Sequence, residues 1–160
     1  MRDNAWLRSR LDYIWGHYFS DVSKKNEVVA LFGQKARTRL GSIKKNRLKE
    51  GISKITLTGF FKDEAIPEVI VDLTIAHELC HYAHGFSSPL PQLFSHPHQG
   101  RIVDRELIKR GLGDGLAYQK RWLKREWPKI VGKRVRRRRI IRKATPGNIW
   151  KLLISGLKDS

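Results

Sequence analysis

The chain has 160 residues, 40% of them hydrophobic and 30% charged, the size of one ordinary domain and apolar enough to build a core, which excludes disorder throughout. Its 33 Lys and Arg against 15 Asp and Glu leave a net charge of +18, which points to a polyanionic partner, nucleic acid before anionic membrane. The single cysteine, Cys80, excludes an intrachain disulfide and a cysteine-based zinc ribbon. Every apolar run is broken by charge well before about 18 residues, so neither a membrane span nor a signal peptide is expected, and a soluble, cytoplasmic protein is the expectation.

In chain order, Asn4 to Phe19 reads as an amphipathic helix, with Leu7, Leu11, Ile14 and Tyr18 at helical spacing and Trp6 and Trp15 beside that stripe. Three segments with strand character follow, Glu27 to Gly33, Lys35 to Lys45 and Ser53 to Phe61. The last alternates best, Ile55 and Leu57 on one face and Lys54, Thr56 and Thr58 on the other. The short turn-rich links between them predict an antiparallel meander. Pro67 with Glu68 opens a helix running to His84, apolar nearly all round and therefore buried, which Gly85 and the Ser87-Ser88-Pro89 run terminate. A loop to Pro97 leads into a helix from His98 to Arg110 carrying Ile102, Val103, Leu107 and Ile108, and another helix spans Gly115 to Trp127.

The buried helix holds His77-Glu78-Leu79-Cys80-His81. Residues four apart share a helix face about 6 Å apart along the axis, so His77 and His81 can place imidazole nitrogens on one tetrahedral zinc ion. Glu78 then sits beside the metal without binding it, placed to take a proton from activated water. Such a pattern can arise by chance on a solvated helix. Here it interrupts an apolar one, where unpaired polar groups cost several kcal/mol (of order 2–7) unless a metal or another partner compensates. A catalytic zinc needs a third protein ligand and an open position. His84, His96, His98, Asp104 and Glu106 are the candidates. His84 lies about 10 Å along the axis from His77, too far for one ion to span from a straight helix. His98 follows a loop long enough to bring the chain back and is the expected third ligand, with His96 as its rival.

These residues resemble the SprT-like zinc metallopeptidases: a HExxH helix, a proline-containing loop, then His98-Gln99-Gly100-Arg101-Ile102 where that family has its third histidine at the start of the next helix. Arg39-Leu40-Gly41-Ser42-Ile43 resembles the family's Gly-Ser strand, and Lys54-Ile55-Thr56-Leu57 the strand before the proline-initiated helix. The likeness covers residues 4 to 111. It implies an α+β, zincin-like fold with an N-terminal helix, a small, mostly antiparallel three-stranded sheet and a central HExxH helix. It further implies a metallopeptidase domain over residues 1–128, one catalytic zinc on His77, His81 and His98, Glu78 as general base, and protein substrates associated with nucleic acid. The family's cysteine zinc ribbon is absent.

Residues 129–160 then form a basic C-terminal tail. Between Gln119 and Lys143 thirteen basic residues face one acidic one. Arg134, Arg136, Arg137, Arg138 and Arg139 are expected to bind phosphates without base specificity. Trp122 and Trp127 among lysines and arginines could stack bases, but Leu116, Leu123 and Trp127 share a helical stripe, which makes Trp127 a core anchor instead. Cys80 reads as a small buried filler. The competing functional reading is a nucleic-acid-binding protein with a structural, non-catalytic zinc, and a weaker one is a zinc hydrolase acting on a small amide.

Overall fold

The computed structural model describes residues 1–46 and 51–132 and groups the chain into two compact units, Met1–Arg121 and Trp122 onward. It is α+β. Helix α1 (Asn4–Tyr18) is followed by three strands, β1 (Val28–Phe32), β2 (Gly41–Lys45) and β3 (Ser53–Leu57). A 3-10 turn at Gly59–Lys62 leads into α2 (Glu68–Ala83), and α3 (Ile102–Lys109) and α4 (Gly113–Arg125) follow.

Asp3 caps α1, its carboxylate accepting from the Trp6 N–H at 2.8 Å, and the apolar stripe Leu7, Leu11 and Ile14 is buried as its spacing requires. Trp6, Trp15 and Tyr18 are half-buried beside it. The Arg10 guanidinium crosses from α1 to α2, donating to both carboxylate oxygens of Asp72 at 2.9 and 2.7 Å and approaching Glu68 at 3.0 Å. This bidentate clamp sets the outer half of α2 against α1.

The sheet order is β1-β3-β2, with β3 at the centre. Ser53, Ile55 and Leu57 are fully buried on one face of β3, the face the alternation assigned to Ile55 and Leu57. The pairing differs from an antiparallel meander: β2 and β3 are antiparallel, but β1 lies parallel to β3, with Val28 opposite Ser53 and Phe32 opposite Leu57. Parallel neighbours need a crossover, and β2 with its flanking turns supplies it, carrying the chain from one edge of β3 to the other. Residues 35–40 belong to that crossover and not to a strand, which shortens the expected Lys35–Lys45 segment to Gly41–Lys45. The segment ending at Phe61 also stops earlier, because Thr58 turns the chain into the 3-10 turn and its Oγ1 holds Ala36, donating to the carbonyl at 2.9 Å and accepting from the N–H at 3.1 Å.

Helix α2 is buried on nearly every side, through Ile70, Val71, Leu73, Ile75, Ala76, Leu79 and Cys80. Gly85 ends it with φ of 82°, a left-handed conformation that favours glycine. The Phe86 N–H then reaches the His81 carbonyl at 2.9 Å, closing the last turn. The expected helix from His98 begins instead as a 3-10 turn, Gln99–Arg101, in which Gly100 and Arg101 both have positive φ. This break makes His98 the residue just before the turn. In α3, Ile102, Val103 and Leu107 are buried, whereas Ile108 is exposed. In α4 and beyond, Leu116 and Trp127 are buried. No helix among the described residues is long and apolar enough to cross a membrane.

Candidate metal centre

Residues from α2 and from the segment before α3 meet at one point. His77 and His81 project from the same face of α2, and His98 comes across from the loop, so that one nitrogen from each ring lies within 4.8 Å of the other two. The rings sit 4.9 Å apart for His77 and His81, 5.4 Å for His77 and His98 and 4.8 Å for His81 and His98, each measured between centroids. Zn–N bonds of about 2.0–2.1 Å at tetrahedral angles place ligand nitrogens roughly 3.3 Å apart. Closing to that spacing takes small ring movements, chiefly of His98, which is exposed, while His77 is half-buried and His81 is 6% exposed.

The electrostatics suit a cation that takes lone pairs. Burial first, and then the neighbouring His98, holds His77 down to about 4, and burial with His77, His98 and His84 nearby holds His81 down to about 3. Both rings are therefore neutral at pH 7 with a free lone pair. Nδ1 of His81 is buried without a hydrogen-bond partner among the described residues, as is Nδ1 of His84 outside the cluster. A buried imidazole does not ordinarily leave a nitrogen unused. Three converging imidazoles, two of them held neutral by burial, are a donor set that fits zinc.

Glu78 lies on the adjacent face of α2, 5% exposed, where the start of β2 passes over it. Burial pushes its carboxyl up to about 7, against the opposing pull of the Arg39 charge and a hydrogen bond from the Ile43 backbone. A Cβ at Gly41 would lie 2.8 Å from Glu78 Oε1, 2.9 Å from Thr74 Cγ2 and 3.0 Å from Leu57 Cδ2. A larger residue here would have to displace those side-chain ends, the Glu78 carboxylate among them. The Thr58 N–H bonds the Leu40 carbonyl and the Asn46 N–H bonds the Ile52 carbonyl, both at 2.8 Å. In this register the even positions of β2 pair with β3, and Gly41, Ile43 and Lys45 turn their backbone groups to the outer edge. The bond from Ile43 to Glu78 thus comes off a free sheet edge.

The other candidate ligands lie elsewhere. His96 is exposed and outside the cluster. His84, 4% exposed at the end of α2, packs against the Phe94 ring at 5.0 Å and has its Nε2 3.9 Å from Glu106 Oε2. Glu106 is taken by Arg110 at 2.8 Å, and Asp104 by Arg101 at 3.0 Å and Lys120 at 2.6 Å. Cys80 is fully buried, its thiol pushed up by burial, which suits a filler. Arg134, Arg136, Arg137, Arg138 and Arg139 lie outside the described residues. Gly41, Ile43 and Arg39 had no assigned part at the site, although a glycine opening a strand signals a close backbone approach. Comparison with protein-family models, with curated proteins and with solved structures returns no match.

These shifts make the metal-free protein pH-sensitive in a defined way. Between about 4.5 and 6.5 the unfolded chain binds protons that native His77 and His81 refuse, so stability rises with pH. Over 4.5 to about 7 native Glu78 keeps a proton that the unfolded chain has lost, so its contribution falls with pH. Glu78→Gln removes only the opposing effect. Denaturant unfolding of chelator-treated protein should therefore show a steeper rise of stability with pH in the variant, by on the order of 1 kcal/mol per pH unit. Equal slopes would contradict the buried, proton-retaining Glu78.

Proposed function

We propose that this chain is a zinc-dependent metallopeptidase, zincin-like and akin to the SprT-like enzymes, hydrolysing peptide bonds in proteins associated with nucleic acid. The observation that carries the reading is the meeting of His77, His81 and His98 beside a buried Glu78 whose carboxyl is raised to about 7. A base with that affinity for protons is matched to accepting one at neutral pH and releasing it again. The HExxH pattern and the resemblance it carries supply the reaction class.

When bound, zinc would supply Lewis acidity, lowering the pKa of a water and polarising a carbonyl oxygen. His77, His81 and His98 would hold it through one ring nitrogen each. Glu78 takes a proton from the attacking water as its oxygen bonds to the scissile carbonyl carbon. It then delivers that proton to the amide nitrogen as the C–N bond breaks, leaving a carboxylic acid and an amine, and the acid's proton passes to the amine to give carboxylate and ammonium. The Ile43 hydrogen bond and the Gly41 approach keep the carboxylate aimed from one direction, and burial keeps bulk water from levelling its basicity. The outward backbone groups of β2 offer an extended peptide a strand to pair with, next to that carboxylate.

A structural zinc site is closed by four protein ligands. Here three histidines converge and His98 is exposed, so the donor set favours the open, catalytic kind. Purified Glu78→Gln should retain a single zinc and lose about 10²–10⁴-fold in peptide hydrolysis. Wild-type turnover in this variant would overturn the enzyme reading in favour of a nucleic-acid-binding protein with a structural zinc. Gly41→Ala, which drives a methyl group against Glu78 Oε1, should likewise keep its zinc and lower kcat. An unchanged kcat would show that β2 does not position the base.

A further inference from the structure

Beyond the metal centre, the far end of β2 borders a second feature. A cavity of about 700 Å³ is lined by Lys44, Lys45, Asn46, Gly51, Ser87 and Ser88. Two lysines, an asparagine and two serines line it, with no acidic residue among the described lining residues. Neither lysine is ion-paired among the described residues, and both are exposed. Lysine, serine, asparagine and backbone N–H groups are the usual partners of phosphate oxygens.

The serine part of the lining is built from the interior. Lys25 N–H donates to the Tyr82 hydroxyl at 3.1 Å, and that hydroxyl donates to Asn26 Oδ1 at 2.8 Å. The Asn26 amide donates to Ser53 Oγ at 2.9 Å, and Ser53 Oγ donates to the Ser87 carbonyl at 2.7 Å. Ser87 has φ of 56°, and Ser88 is held by its own bond to the Tyr82 carbonyl at 2.7 Å. A non-glycine residue in that conformation persists only where its surroundings over-determine it, and this chain of bonds does so. The cavity therefore has a preset polar wall at Ser87 and Ser88, and its lining includes two lysines with no ion pair among the described residues.

We propose that this cavity binds the phosphodiester backbone of a nucleic acid. Its volume exceeds what one small anion needs. The chain's +18 charge, of which the cavity holds two lysines, matches a polymer charged at every repeat better than a short acidic peptide. Lys45 lies four residues along β2 from Gly41, about 14 Å at strand spacing. A strand held at the cavity brings any protein lying on it to the sheet edge beside Glu78. Only that consequence rests on the metallopeptidase reading; the binding itself does not.

The test uses the full chain, wild type and Lys44→Gln/Lys45→Gln, with a fluorescent single strand of about 12 nucleotides and anisotropy read across a salt series. The double variant should bind about 10-fold more weakly at moderate salt and lose about 1.4 from the log–log salt slope, near 0.7 per phosphate contact on a single strand. Lys44→Arg/Lys45→Arg should restore both. Wild-type affinity and slope in the glutamine variant would overturn the proposal by assigning all binding to other basic residues. Inorganic phosphate that binds in a lysine-dependent way while the oligonucleotide slope stays unchanged would reduce the cavity to a small-anion site and overturn it. Polyglutamate binding as tightly as the oligonucleotide, with the same lysine dependence, would overturn it in favour of an acidic peptide. Zinc content, measured on the same variants, should not change; its loss bears on the metal-centre reading and leaves the binding result to stand alone.

Discussion

The candidate metal centre depends on α2 being buried on nearly every side while it carries His77, Glu78 and His81. Moving those groups out of water costs free energy that the fold has to offset, and it does so in several places. The Arg10 clamp and the Leu7, Leu11 and Ile14 stripe fix α2 from one side, and the sheet covers another. Burial then becomes chemistry: the same desolvation that penalises charge keeps two imidazoles neutral and lifts Glu78 to about 7. Stability is given up locally to set proton affinities that a solvated helix could not reach.

Strand β2 is the second half of that arrangement. Its inner edge is bonded to β3, and its outer edge gives the Ile43 hydrogen bond to Glu78. Gly41 permits the approach, because any Cβ would enter the space of the carboxylate. The strand thus joins the sheet to the Glu78 carboxylate, and farther along it reaches the lysine and serine cavity. One short edge strand of five residues, Gly41–Lys45, borders both the buried carboxylate and the cavity.

Much of this was legible in the sequence, for physical reasons that differ by residue. The stripe of α1 and the buried span of α2 could be read because helix periodicity is local, and Gly85 because a helix end needs a left-handed residue. His77 and His81 are four apart on one helix, so their meeting is fixed by helix geometry alone. His98 required a loop to return, which spacing permits without dictating, and the positive φ at Gly100 and Arg101 that ends this loop has no clear sequence signal. The parallel pairing of β1 with β3 was not legible, since short turns suggest hairpins and only the long-range preference of Ile55 and Leu57 for the centre places β3 between its neighbours. Gly41 was visible as a strand glycine, but its contact with Glu78 joins residues far apart in the chain, and no local pattern reports that.

The most direct test of the account is X-ray absorption at the zinc edge of the purified full chain beside His98→Ala and His96→Ala. The account predicts three imidazole nitrogens and one oxygen at about 2.0–2.1 Å in the wild type, one imidazole fewer in His98→Ala, and an unchanged spectrum in His96→Ala. A sulfur ligand from Cys80, loss of an imidazole in His96→Ala instead, or no bound zinc in the wild type would contradict it.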